Sequence, residues 1–379
     1  MSEVSPTPYT EAINLLGPFL HLTKVTGLDG TPGRSKVVTV LQYLGAVVVI
    51  GLLIVRTVLI TMADAKILSF GWAECNLHTA LSIVSIVCAF CIFGWTKSSF
   101  IHNHLERLDN VRQLRNHPNP IMDRYTRQHL ICASVPLPWL GFLMGACIYN
   151  FTDHKILYGG NPTLQLFYIP YPILTVLAWL VISICLIYYV LVQISIDREM
   201  DHFNKEMETA IDFGRLEDPK FAAEYSYRHN EILKLLREAN KKLSSLVGLG
   251  LGFNLAASVF GIYIANFLSV IPIPYLVCIL GSMNGVIGIT VIILKTAGSV
   301  QEKVAETRRI LMNSCFEKYD NVNIIQIMID RAVDQSNCLT VLGIRISASS
   351  AGSFMQFVPL SATALLFLRN ILRASGLDF

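Results

Sequence analysis

"VVTVLQYLGAVVVIGLLIVRTVLITM", residues 37–62, is a run of 26 residues with a single charge, Arg56. A hydrocarbon layer about 30 Å thick is crossed by a helix of ~20 apolar residues. Backbone groups inside lipid must bond within their own segment, and a run this long without strand alternation is a helix rather than a barrel strand. Six more runs have the same character: Trp72–Trp95, Gln128–Tyr149, Leu164–Ser195, Leu243–Val270, Ile273–Ala297 and Thr340–Leu372. Gln128–Tyr149 and Leu164–Ser195, spans 3 and 4 of the seven, are interrupted by proline. The fold expected is therefore all-α, a polytopic membrane protein with seven transmembrane helices, sited as a multi-pass protein in the cell membrane.

Composition agrees. Hydrophobic residues make up 53% of the chain and charged residues 15%, against about 25% charged in soluble domains. The cations are unevenly placed. Of the 30 Lys and Arg residues, 24 lie before the first span and after the second, fourth and sixth, counting Lys295 at the very end of span 6 with the segment that follows it. Four lie on the other side: Lys66, Lys155, and Arg369 and Arg373 at the C-terminal end. Arg56 and Arg345 fall inside spans. Cations near span ends are retained in the cytosol, so the N-terminus is expected in the cytosol and the C-terminus outside. The Asn150 sequon, "NFT", falls on the outer side in this arrangement. The first 35 residues lack a basic segment followed by a short apolar core, so no cleavable leader is expected; "LLGPFL" suits an interfacial helix.

The segments between spans are short on the outer side and long on the inner side. Residues 196–242 and 298–339 carry apolar positions every three to four residues among charges, the mark of helix. They are expected to extend the spans into the cytosol and pack there as an assembly region with the ends of spans 4–7. No internal repeat or separate extramembrane domain is visible.

Motifs for catalysis are missing. There is no phosphate-binding glycine loop, HExxH, GxSxG or Cys/His ligand cluster, so neither an enzyme nor a metal or other cofactor is expected. No basic nucleic-acid-binding patch stands out either. The nine cysteines lie mostly in spans or inner loops, where thiols stay reduced. Cys75 and Cys147 fit two packed thiols better than a bridge. Seven helices suggest a G-protein-coupled receptor, but the orientation is reversed, and "DRY" at Asp123–Tyr125 precedes span 3 instead of following it. A transporter would show a repeat and broken helices near the midplane.

On a helical wheel, Ser349, Gln356, Thr363 and Asn370 of the last span fall in one stripe, with Pro359 and Phe367 close by. A polar stripe on an apolar helix faces protein or water. In the first half, "SASSAG" suits close helix packing. In the second half, Thr363, Phe367 and Asn370 can line a pore, which requires several copies around one axis.

The chain resembles the insect odorant and gustatory receptor superfamily, as a divergent gustatory-receptor-like member. The likeness rests on "AINLLGPFLHLTKVTGL" (12–28), "YRHNEILKLLREANKKLSSLVGLGLGFNL" (227–255), "LTVLGIRISASSAG" (339–352) and the inverted seven-span layout. It implies a homotetrameric, ligand-gated, nonselective cation channel serving chemoreception, with membrane lipid around it. It also implies a small-molecule pocket among the outer halves of spans 2–6 and a pore lined by span 7. Aligning on Gly343 puts Thr363 at the threonine of the family's TYhhhhhQF motif, but the chain reads "TALLFLRNI". Ala364 replaces the tyrosine, and Asn370–Ile371 replace Gln–Phe. The pore residues implied are Thr363, Phe367, Asn370 and Ile371. Pocket candidates are Trp72, Asn76, Tyr149, Tyr168, Tyr171, Tyr263, Asn266 and Tyr275, of which a part serve as interfacial anchors. Glu74 is the one acid in the outer half of a span. The altered motif and Arg369 favour an alternative, a non-conducting relative that acts as a binding or scaffold subunit.

Overall fold

The computed structural model describes residues 15–22, 36–61, 66–116, 125–152, 170–267, 272–313, 322–334, 337, 339–341, 344–347 and 349–375. Among them are seven helices long and apolar enough to cross a membrane. Span 1 is Lys36–Thr61, span 2 Phe70–Lys97, span 3 Thr126–Tyr149, span 4 Pro170–Asp212, span 5 Pro219–Phe267, span 6 Ile273–Asn313 and span 7 Ser350–Ala374. The protein is a multi-pass membrane protein. Apart from two paired strands of two residues each, the described regular structure is helical.

Local chemistry sets the helix ends. Ser69 caps span 2 by accepting from the Trp72 amide at 3.1 Å, satisfying one of the orphan donors of the first turn. Asp218 does the same for Lys220, with Pro219 at the first helical position, where its missing N–H costs nothing. Span 3 changes from one helix to the next at Val135, just before Pro136. Span 5 passes through a π-helical turn at Leu246–Gly250.

Span 4 is the centre of the bundle. Its apolar stretch is 72% buried, against 6% in span 1 and 22% in span 7. Spans 2 and 6 flank span 4, and span 1 lies outermost against spans 2 and 4. Spans 3 and 6 come close because Gly281 and Gly285 lack side chains. A Cβ at Gly281 would sit 2.3 Å from the Phe142 ring, and one at Gly285 2.4 Å from Trp139. The expected interfacial segment packs as well: Leu15 and Leu16 are buried, and the Leu15 carbonyl lies 2.8 Å from the His129 ring nitrogen of span 3.

The helices of spans 4, 5 and 6 run well past any membrane thickness and pack with helices Phe100–Gln113 and Val322–Val333. This bundle is held by buried polar groups. Glu199 accepts from Arg112 at 3.0 Å and from Arg115, and Arg112 also donates to the Tyr125 hydroxyl at 2.6 Å. Arg228 pairs with Glu206 at 2.5 Å. The Asn337 carbonyl accepts from both Asn240 and Gln301.

One boundary is corrected. Span 7 begins at Ser350, not at Thr340. Thr340–Val341 pairs antiparallel with Ile344–Arg345 instead, because the β-branched residues of this apolar stretch favour a strand pair. Arg345 is accordingly a strand residue outside the span. For span 4, helix is described from Pro170 onward; residues 164–169 lie outside the described set.

Candidate functional site

At the end of the bundle where spans 1 and 2, 3 and 4, and 5 and 6 are connected, side chains from five spans meet. Span 1 brings Arg56, 2% exposed. Its guanidinium donates to the hydroxyls of Ser82 in span 2 and Thr175 in span 4, and lies 5.4 Å from the centre of the Tyr171 ring. Ser82 spends its own proton on the His78 carbonyl, and Thr175 spends its proton on the Tyr171 carbonyl. Both oxygens therefore turn lone pairs toward the cation.

Glu74 is buried one turn above His78, 3.8 Å from its ring nitrogen, and accepts from the Tyr275 hydroxyl of span 6. Tyr149 of span 3 stacks on Tyr275, with centroids 4.6 Å apart. The Tyr171 ring meets His78 edge-on at 6.1 Å. Cys147 of span 3 packs with Ile60 and Tyr171, and lies within electrostatic reach of both Arg56 and Glu74. Cys75 packs against the same group, and both thiols are free. Among the described residues no group of His, Cys, Asp and Glu could hold a metal ion.

The pocket candidates divide. Tyr149, Tyr171 and Tyr275 belong to this cluster. Trp72 and Tyr263 form a second aromatic group with Phe260 and Phe267 between spans 2 and 5. Phe70 touches both groups through Phe267 and Tyr275. Tyr263 also donates to the Leu68 carbonyl at 2.7 Å, tying span 5 to the start of span 2. Asn76 donates to the Trp72 carbonyl, and exposed Asn266 to carbonyls of its own helix. Tyr168 lies outside the described residues. Arg56, His78, Ser82 and Thr175 were not among the sequence candidates. Arg56 carried a signal nonetheless, because an ionisable residue at membrane depth is a functional hypothesis by default.

Span 7 has two faces. Ala351, Val358 and Ala362 are buried against spans 5 and 6. Ser349, Gln356, Thr363, Phe367, Asn370 and Ile371 are all exposed, Phe367 at 67%. Arg369 turns away from that face, its guanidinium 4.2 Å above the Phe267 ring of span 5. The helix runs through Pro359, and the Thr363 hydroxyl donates to the Pro359 carbonyl at 2.9 Å.

This fold is that of a seven-helix insect olfactory receptor. The structure of the insect olfactory receptor OR5 from Machilis hrabei superposes with a TM-score of 0.73 at 13% sequence identity, covering 93% of this chain and 99% of that one. The same receptor in complex with eugenol gives 0.68 at 14% identity, covering 95% and 97%. Residues 15–360 match the family described as "Caenorhabditis protein of unknown function, DUF267", and the chain belongs to that family. No curated protein matches the sequence.

Proposed function

We propose that the protein is a chemoreceptor of the cell membrane: a homotetrameric, ligand-gated, nonselective cation channel with its N-terminus in the cytosol and its C-terminus outside. The observation that carries this reading is the exposed polar stripe of span 7. In a single chain, Gln356, Thr363 and Asn370 would face lipid, which has no partner for them. Four copies around an axis turn the stripe toward a shared water-filled path, lined by Thr363, Phe367, Asn370 and Ile371. Arg369 does not oppose cations there, because its charge rests on Phe267 within its own subunit. The helical extensions expected over residues 196–242 and 298–339 serve as the cytosolic anchor between copies.

The ligand is a small molecule held in the polar and aromatic cluster at the outer end. The eugenol complex of the structural neighbour and the convergence of Tyr149, Tyr171 and Tyr275 on Glu74, His78 and Arg56 support this. Binding opens the pore to the extent that the open state holds the ligand more tightly.

Expressing the full chain alone and recording agonist-dependent cation current tests the proposal. Phe367→Ala and Asn370→Ala are expected to change conductance or gating; no change in either removes span 7 from the pore. Oxidative cross-linking supplies an independent readout. Thr363→Cys is expected to yield linked oligomers, whereas Val358→Cys, on the buried face, is not. The altered motif "TALLFLRNI" favours a second reading, a non-conducting binding or scaffold subunit. Cross-linking at Thr363 without current under any ligand would select it.

A further inference from the structure

Buried cations at membrane depth are expensive unless an anion or a full set of acceptors surrounds them. Arg56 has neither. Among the described residues it makes no ion pair, its two acceptors are the neutral hydroxyls of Ser82 and Thr175, and its Nε has no partner. Glu74, the carboxylate in the same cluster, is engaged by Tyr275 and His78 instead. Each of the two hydroxyls has spent its proton on its own helix and so offers the guanidinium only lone pairs. The guanidinium carbon lies 5.4 Å from the centre of the Tyr171 ring, and Tyr171 packs with Cys147 and Ile60.

We infer that Arg56 receives the carboxylate of the ligand, so that the site is selective for small organic acids with an apolar body. A carboxylate supplies what the site lacks: a compensating charge and an acceptor that the planar guanidinium can engage through its free N–H. The apolar body lies against Tyr171 and the stacked Tyr149–Tyr275 pair. Because Arg56 is nearly inaccessible, entry of the acid parts Arg56 from its present neighbours. Ligand binding therefore moves span 1 relative to spans 2 and 4, the helices that bear Ser82 and Thr175. This inference rests on the small-molecule reading above and adds the ligand's chemical class.

The test uses the full-length protein in nanodiscs at neutral pH, with binding read by thermal shift and by competition, so that it does not depend on conduction. The probes are octanoate, its methyl ester, 1-octanol and acetate. Octanoate is expected to bind about tenfold or more tighter than the ester or the alcohol, the scale of a charge-assisted hydrogen bond. Acetate, with the charge but no apolar body, is expected to bind far more weakly, and its matching octanoate would overturn the apolar-body requirement. Arg56→Gln is expected to erase the preference for the acid over the ester, and Arg56→Lys to keep part of it. Should Arg56→Gln fail to fold, the wild-type series and Arg56→Lys still decide. Equal binding of acid and ester, or no binding by any probe, overturns the inference. A protein that prefers the acid but passes no current sinks the channel and keeps Arg56 as the acid's receptor. One that conducts in response to neutral ligands alone does the reverse.

Discussion

The bundle beyond the spans and the exposed face of span 7 manage polarity in opposite ways. In the bundle, polar groups are numerous, buried and largely matched: Glu199 to Arg112 and Arg115, Glu206 to Arg228, Asn204 to Thr307. On span 7 the stripe residues Gln356, Thr363 and Asn370 are exposed, and the Thr363 hydroxyl bonds only the Pro359 carbonyl of its own helix. Span 1 is barely buried too, but its outward residues are Val37, Val40, Leu44 and Val47, for which lipid is a satisfactory neighbour. Exposure alone therefore does not mark an interface in a membrane protein; polar exposure at membrane depth does. The bundle matches much of its polarity within one chain, whereas the polar stripe of span 7 finds a partner only in the assembly proposed above.

The first consequence is that the bundle should be fragile to the loss of one charge. Glu199 is fully buried between two guanidiniums whose side chains are 6% and 4% exposed. Glu199→Gln strands two cations, and removing one member of a buried ionic group costs about 3–5 kcal/mol. The expected result is a large fall in the unfolding temperature of the purified protein. Glu238→Gln is the matched control, since its pair with Arg107 is half-exposed on both sides and is worth about 1 kcal/mol or less. Equal effects of the two substitutions would break the contrast between matched burial and surface decoration.

Acid supplies a smaller perturbation of the same region. Burial, with Arg331 adding to it, pushes His229 down to about 3; burial, with Arg107 adding, pushes His104 down to about 4. Unfolded, each takes up a proton near pH 6.5. Stability from these neutral histidines is therefore whole above pH 6.5 and falls as pH drops toward 4, by about 1.4 kcal/mol per pH unit for each. His229 stacks on Phe203 at 5.3 Å, and neither of its ring nitrogens has a partner. His229→Phe is thus expected to raise stability at pH 5 by about 2 kcal/mol and to halve the acid slope. An unchanged slope, measured by unfolding temperature against pH, would mean that His229 is not held neutral.

The same contrast explains what could be read from the sequence. Lipid leaves the backbone so few options that Val37–Met62 and Trp72–Trp95 differ from the helices Lys36–Thr61 and Phe70–Lys97 by at most two residues at an end. For span 7 the sequence places the start ten residues early, at Thr340 rather than Ser350, because an apolar strand pair and an apolar helix look alike in composition. Its polar stripe was visible because seven-residue spacing is a property of one helix. The outer cluster was only half visible: tyrosines near span ends are conspicuous, but the stacking of Tyr149 on Tyr275 joins distant parts of the chain. Arg56 stood out as a lone charge, yet its grip by Ser82 and Thr175 exists only once spans 1, 2 and 4 are packed.

Arg369 offers the finest test, because it sits at the boundary between the two faces of span 7. Its guanidinium lies 4.2 Å above Phe267, a ring only 7% exposed, and a cation over an aromatic face contributes about 1 kcal/mol in such a setting. Arg369→Met keeps the apolar stem and removes the charge. The expected outcome is a modest fall in unfolding temperature with cation conductance little altered, because the charge was held against span 5 rather than on the axis. Asn370→Ala, one residue further on, is expected to behave oppositely, changing conductance and sparing stability. If Arg369→Met instead changes conductance as strongly as Asn370→Ala and leaves stability untouched, the arginine faces the axis, and the division of span 7 into an inward-packed face and an assembly face fails at its outer end.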